Sequence, residues 1–85
     1  MEVMLNAQEI ELLFRQDPIT KGRGGFQDLL IRLQQKTDPN TEVLLLSADD
    51  LEQVPRYAFD YGNGGWEDRL KSIFERNLGP KLGRQ

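Results

Sequence analysis

Gly22-Arg23-Gly24-Gly25-Phe26-Gln27-Asp28-Leu29-Leu30 is answered at an offset of 40 by Gly62-Asn63-Gly64-Gly65-Trp66-Glu67-Asp68-Arg69-Leu70. The offset carries on to pair Leu33 with Ile73, Gln35 with Glu75 and Lys36 with Arg76, and five of the fifteen positions in 22–36 and 62–76 are identical. Upstream, an offset of 41 aligns Val3 to Glu11 with Leu44 to Glu52, then Leu13 with Val54 and Arg15 with Arg56. Apolar pattern, helix start and glycines recur in the same order. The chain therefore reads as two tandem units, about 3–36 and 43–76. A single unit of this size cannot bury its own apolar face, so two units are expected to share one core.

Each unit has the same physical grammar. Val3-Met4-Leu5 and Val43-Leu44-Leu45-Leu46 are short apolar runs of strand character. Asn6 with Glu9, and Ser47 with Asp50, then supply a helix start: an oxygen that accepts from an orphan amide and an acid three residues on. Ile10, Leu13 and Phe14 share one face of the first helix; Leu51 and Val54 share one of its counterpart, which Pro55 is expected to break, with a short turn following from Arg56 to Phe59. The glycines open a second helix in each unit. Phe26, Leu29, Leu30 and Leu33 follow helical spacing, as do Trp66, Leu70, Ile73 and Phe74. Asp28 with Arg32 and Glu67 with Lys71 are outward pairs one turn apart. Gly79-Pro80 stops the last helix.

These elements predict an α+β fold with a pseudo-two-fold axis: two strand-helix-helix repeats whose strands form a short antiparallel ribbon packed on about four helices. One domain is expected over 1–80, with 81–85 as a flexible basic tail. A two-stranded ribbon leaves two open edges, which favours a partner chain.

Composition narrows function. The 85 residues contain no cysteine and no histidine, which removes disulfides, thiolate chemistry and the commonest acid–base group and transition-metal ligand near neutral pH. A chain of this size buries only roughly 60–65% of its unfolded surface, so its core is thin. The net charge is −3, with acids and bases spread evenly over both halves. The longest apolar run, Val43 to Leu46, is far below the length of a membrane span, and the start Met1-Glu2-Val3 is acidic. A cytoplasmic location, no membrane association, no cofactor and no metal are the resulting expectations. Of the two acidic groups, Asp60-Asn63-Glu67 lacks metal-loop spacing, because glycines stand where oxygen ligands are needed, and Asp49-Asp50-Glu52 reads as helix-start residues and a solvated face.

Two sets of residues are candidates for binding. Five of the seven aromatic residues lie between Tyr57 and Phe74; of these, Trp66 and Phe74 read as core, whereas Tyr57 and Tyr61, with Arg56 beside them, suit the rim of a protein interface. Arg15 and Arg56 also hold equivalent places at helix ends, where a cation meets the negative helix dipole. Lys21 and Arg23 on the first glycine turn, with Lys81 and Arg84 near the end of the sequence, are the alternative set for an anion or nucleic acid. Against that set stand the acidic balance of the chain and the carboxylates Asp28 and Asp68 in the first turns of the helices. The expected function is a non-enzymatic protein-interaction module that self-associates as a homodimer; a regulatory nucleic-acid-binding protein is the alternative.

Overall fold

A computed structural model describes residues 1–85. Strand β1 (Glu2–Met4) leads into helix α1 (Ala7–Phe14), a 3-10 turn (Pro18–Thr20) and helix α2 (Gly25–Gln35); strand β2 (Val43–Leu45) leads into α3 (Ala48–Phe59) and α4 (Gly64–Leu78). The fold is small α+β, four helices with one two-stranded antiparallel sheet. Val3 stands opposite Leu44, Glu2 opposite Leu45 and Met4 opposite Val43. Because side chains alternate along a strand, Val3 and Leu44 enter the core while Met4 and Leu45 face outward.

Helices α1 and α3 begin at complete capping boxes. The Asn6 side chain accepts from the Glu9 amide and the Glu9 carboxylate from the Asn6 amide; Ser47 and Asp50 make the same reciprocal pair. Both acids are buried, and each is met by cations from elsewhere in the chain. Arg76 of α4 donates to Glu9 at 2.8 and 3.2 Å, and Lys36 and Arg32 approach Asp50 at 2.5 and 3.4 Å. Burial opposes ionisation of Asp50, but hydrogen bonds from Lys36 and Ser47 and the Lys36 charge outweigh it, so its carboxyl titrates below the usual aspartate range. The core between the helices and the sheet is mostly leucine, from α1, α2, β2, α4 and the segments next to the strands, with Val3 from β1, Val54 and Ala58 from α3, and Phe26, Ile73 and Phe74.

Four expectations are corrected. Helix α3 runs unbroken through Pro55, which lacks only the amide that would have bonded the Leu51 carbonyl; Val54, Pro55 and Ala58 are buried, and that burial, with the capping box, offsets the proline. Phe14 is exposed, because α1 ends there and only Leu13 is buried on its last turn. Arg32 turns from Asp28 to Asp50 and Gln53 of α3, since a buried acid nearby is the stronger acceptor; Lys71 does pair with Glu67. The segment 81–85 is not loose at Leu82, which is fully buried in the core cluster. Positive φ at Gly79 and Gly83 turns the chain back so that this one apolar side chain of the segment reaches the core.

The ribbon edges are also more closed than expected. At β1 the Met4 carbonyl accepts from Arg76 and Asn77, and at β2 the Val43 carbonyl accepts from the Asp38 amide, with Thr37 bridged to Leu44. Side chains and a turn here satisfy backbone groups that a third strand would otherwise take. No helix is long and apolar enough to cross a membrane.

Candidate interaction face

Four aromatic rings gather where the two glycine turns meet the end of α3. Phe26 and Trp66, each in the first turn of its helix, stack with centroids 4.8 Å apart and planes 4° from parallel. Tyr57 and Tyr61 sit one turn apart and stack at 5.0 Å and 17°. Trp66 joins the pairs, lying 6.1 Å from Tyr57 and 5.9 Å from Tyr61 in tilted and edge-on contact, the arrangement favoured by ring quadrupoles. Exposure rises across the cluster: Phe26 is buried, Trp66 and Tyr57 are half-buried, and Tyr61 is 50% exposed.

The first glycine turn makes this packing possible. A Cβ at Gly25 would lie 2.0 Å from the Tyr57 hydroxyl oxygen and 2.7 Å from the ring carbon that bears it, so only glycine lets α2 and Tyr57 approach this closely. Burial raises the Tyr57 phenol above its ordinary value, reinforced by Tyr61 and opposed by the charges of Arg56 and Arg32. At neutral pH it is therefore a protonated hydroxyl, not an anion.

The structure brings Arg56, Tyr57 and Tyr61 together on this face, with Arg56 exposed and no carboxylate paired to it. Lys21 and Arg23, the first of the two alternative anion-binding pairs, are exposed on the turn that leads into Gly25, next to this face along the chain, with Lys21 bordering a groove lined by Asp28, Arg32 and Gln35. The other pair is placed differently. Arg84 donates to both carboxylate oxygens of Asp60 at 2.7 and 2.9 Å, and Lys81 is exposed in the turn after α4. The Asp28 carboxylate accepts from the Gly22 amide at 2.6 Å, filling the place where a phosphate oxygen would meet that turn. Arg15 pairs with Glu11 and holds the C-terminal cap of α1.

Two members of the face are not singled out by the sequence. Trp66 is a half-buried bridge between the ring pairs, where a plain core position was expected. Arg69 lies 5.9 Å from the centre of the Phe26 ring and donates to Gln16 at 2.8 Å, with no carboxylate partner; burial, and then the charge of Arg15, pull its guanidinium down. The signal for the first was present: Phe26 and Trp66 occupy the same place after the two glycine turns. No cluster of three or more acidic side chains could hold a metal ion. Comparison of the chain with protein-family models, curated proteins and solved structures finds no match in any of the three.

Proposed function

We propose that this chain is a small non-enzymatic protein-interaction module that docks a protein through the Arg56, Tyr57, Tyr61 and Trp66 face and also associates with itself. The observation that carries the docking reading is the half-exposed Tyr61, held rigid by stacking on Tyr57 beside an unpaired arginine. Tyrosine, tryptophan and arginine are the side chains enriched at binding hot spots, and a pre-stacked ring loses little freedom on binding. Self-association is supported by the outward side of the sheet, where Met4 is 62% and Leu45 is 54% exposed beside the half-buried Val43. Sedimentation equilibrium at tens of micromolar tests it: a dimer that Met4→Lys with Leu45→Lys returns to monomer is expected, and a strict monomer overturns the self-association.

We also read the fold as two units about a pseudo-two-fold axis. Three placements support this reading. Val3 and Leu44, equivalent by sequence, stand opposite each other in the sheet. Phe26 and Trp66, likewise equivalent, stack on each other. Lys36 of the first unit meets Asp50 of the second, while Arg76 of the second meets Glu9 of the first. The nucleic-acid reading has less support, because Asp28 fills the first glycine turn and Asp60 occupies Arg84.

A further inference from the structure

The cations of this acidic chain are not distributed evenly with respect to pairing. Six of the eleven basic side chains are matched by a carboxylate and five are not: Lys21, Arg23, Arg56, Arg69 and Lys81. Four of those five are carried by the segments that bear the aromatic rings or lead into them. Lys21 and Arg23 are on the turn that ends at Gly25 against Tyr57, Arg56 precedes Tyr57, and Arg69 lies against the Phe26 ring. Of the nearby acids, Asp60 is paired with Arg84 and Glu67 with Lys71, while Asp28 accepts only from the neutral Gly22 amide and keeps its charge, so three acids, Asp28, Glu52 and Asp68, stand as the local counterweight to these four cations. Charges further than about 8 Å are largely screened at physiological salt, so an approaching group responds to these cations before it responds to the net charge of the molecule.

Resting on the docking reading above, we infer that the occupant of this face is an acidic segment of a partner protein. Its carboxylates pair with Arg23 and Arg56, and an aromatic or aliphatic side chain packs on the outer side of Tyr61. Arginine suits this role because its planar fork can hold a carboxylate by two parallel hydrogen bonds. A second copy of this chain joined face to face would set the same cations against one another, a like-charge contact that interfaces avoid. Self-association therefore falls to the Met4 and Leu45 side of the sheet, where Glu2 is the one charged side chain of the two strands, and the aromatic face is left for a different protein. A nucleic-acid strand is a poorer match: Phe26 and Tyr57 are covered by Trp66 and Tyr61, leaving one outer ring for stacking, and no continuous basic groove tracks a backbone.

The test is a titration of the isotopically labelled full chain, followed by amide and indole resonances. Three probes are compared: a short synthetic peptide of repeated Glu-Glu-Tyr triplets, its Lys-Lys-Tyr counterpart, and oligothymidine. The acidic peptide is expected to shift Arg23, Arg56, Tyr61 and the Trp66 indole, with affinity falling as salt is raised and dropping about tenfold in Arg23→Glu with Arg56→Glu. Both arginines are exposed, so this variant keeps the fold, which its unchanged core resonances would verify. Equal shifts from the two peptides keep the docking face and overturn its preference for acids. Shifts from oligothymidine alone overturn the choice of a protein ligand, and shifts confined to other residues, or none, overturn the face itself.

Discussion

The two glycine turns have nearly the same sequence and solve different problems. In the first, α2 starts at Gly25 after Gly24, which has no side chain to cap it, and the Asp28 carboxylate reaches back to the Gly22 amide. In the second, the Asn63 side chain accepts from the Trp66 amide, and α4 starts one residue earlier in the motif, at Gly64. Gly22 and Gly62 are alike, with φ of 86° and 67° and open space where a side chain would go. The helix-opening residues are not alike: a Cβ on Gly25 strikes Tyr57, whereas one on Gly64 meets nothing within 4 Å. A shared motif thus records a shared backbone bend, while the reason for each further glycine depends on what packs against it.

The comparison breaks most visibly at Gly25→Ala. Tyr57 packs against Tyr61 and Trp66, so making room for the added methyl disturbs both contacts and is expected to cost about 2 kcal/mol, as overpacking does. Urea unfolding measures that loss, and the emission of Trp66, the only tryptophan, reports the displaced ring. An unfolding midpoint equal to that of the parent would show that Gly25 is there for its backbone alone. Next in size, Gly22→Ala and Gly62→Ala should each cost about 1 kcal/mol, because both put an L side chain in the left-handed region without a clash. Similar drops in melting temperature for the two would confirm the common bend; a difference of several degrees would mean that one turn carries an additional constraint. At the cap, Asn63→Ala should cost about 1 kcal/mol through the lost bond to the Trp66 amide, whereas Arg23→Ala leaves α2 unchanged. Amide exchange at Trp66, faster in the first variant and unaltered in the second, separates the two starts.

How much of this was legible follows the distance over which each feature is decided. The helix starts at Asn6 and Ser47 and the stop at Gly79 are local matters of cap chemistry and backbone angle, and they stand where the residues indicate. The antiparallel pairing of the two short apolar runs also stands as expected. The course of α3 through Pro55 was not legible, because a proline inside a helix is tolerated or not according to the burial of its neighbours. Leu82 was hidden for a related reason: a single leucine among charged and glycine residues gives no period, and only the folded core shows the gap it fills. At the candidate site, Tyr57, Tyr61 and Arg56 share one segment and group in the sequence, but Phe26 and Arg69 join them only because the starts of α2 and α4 meet through Phe26 and Trp66. The exchange of Arg32 from Asp28 to Asp50 has the same origin, since a local pair loses to a buried acid that only tertiary approach brings near.

Gly64→Ala is the smallest and sharpest test of the difference between the turns. Alanine has the higher helix propensity and glycine the greater freedom to lose on folding, so a site with room for a methyl group should gain about 0.5 kcal/mol from the exchange. The first position of α4 meets that condition, with nothing within 4 Å of the added atom. The first position of α2 does not, although both residues are glycines at the start of an amphipathic helix. Opposite signs for Gly64→Ala and Gly25→Ala in the same unfolding assay would therefore assign the first to chain entropy and the second to the Tyr57 contact. Equal losses would instead require α4 to be held by a constraint at Gly64 that neither its angle nor its surroundings supply. In the double variant Gly25→Ala with Tyr57→Phe, the removed hydroxyl should return part of the lost stability, because the closest approach to the new methyl is the Tyr57 oxygen at 2.0 Å.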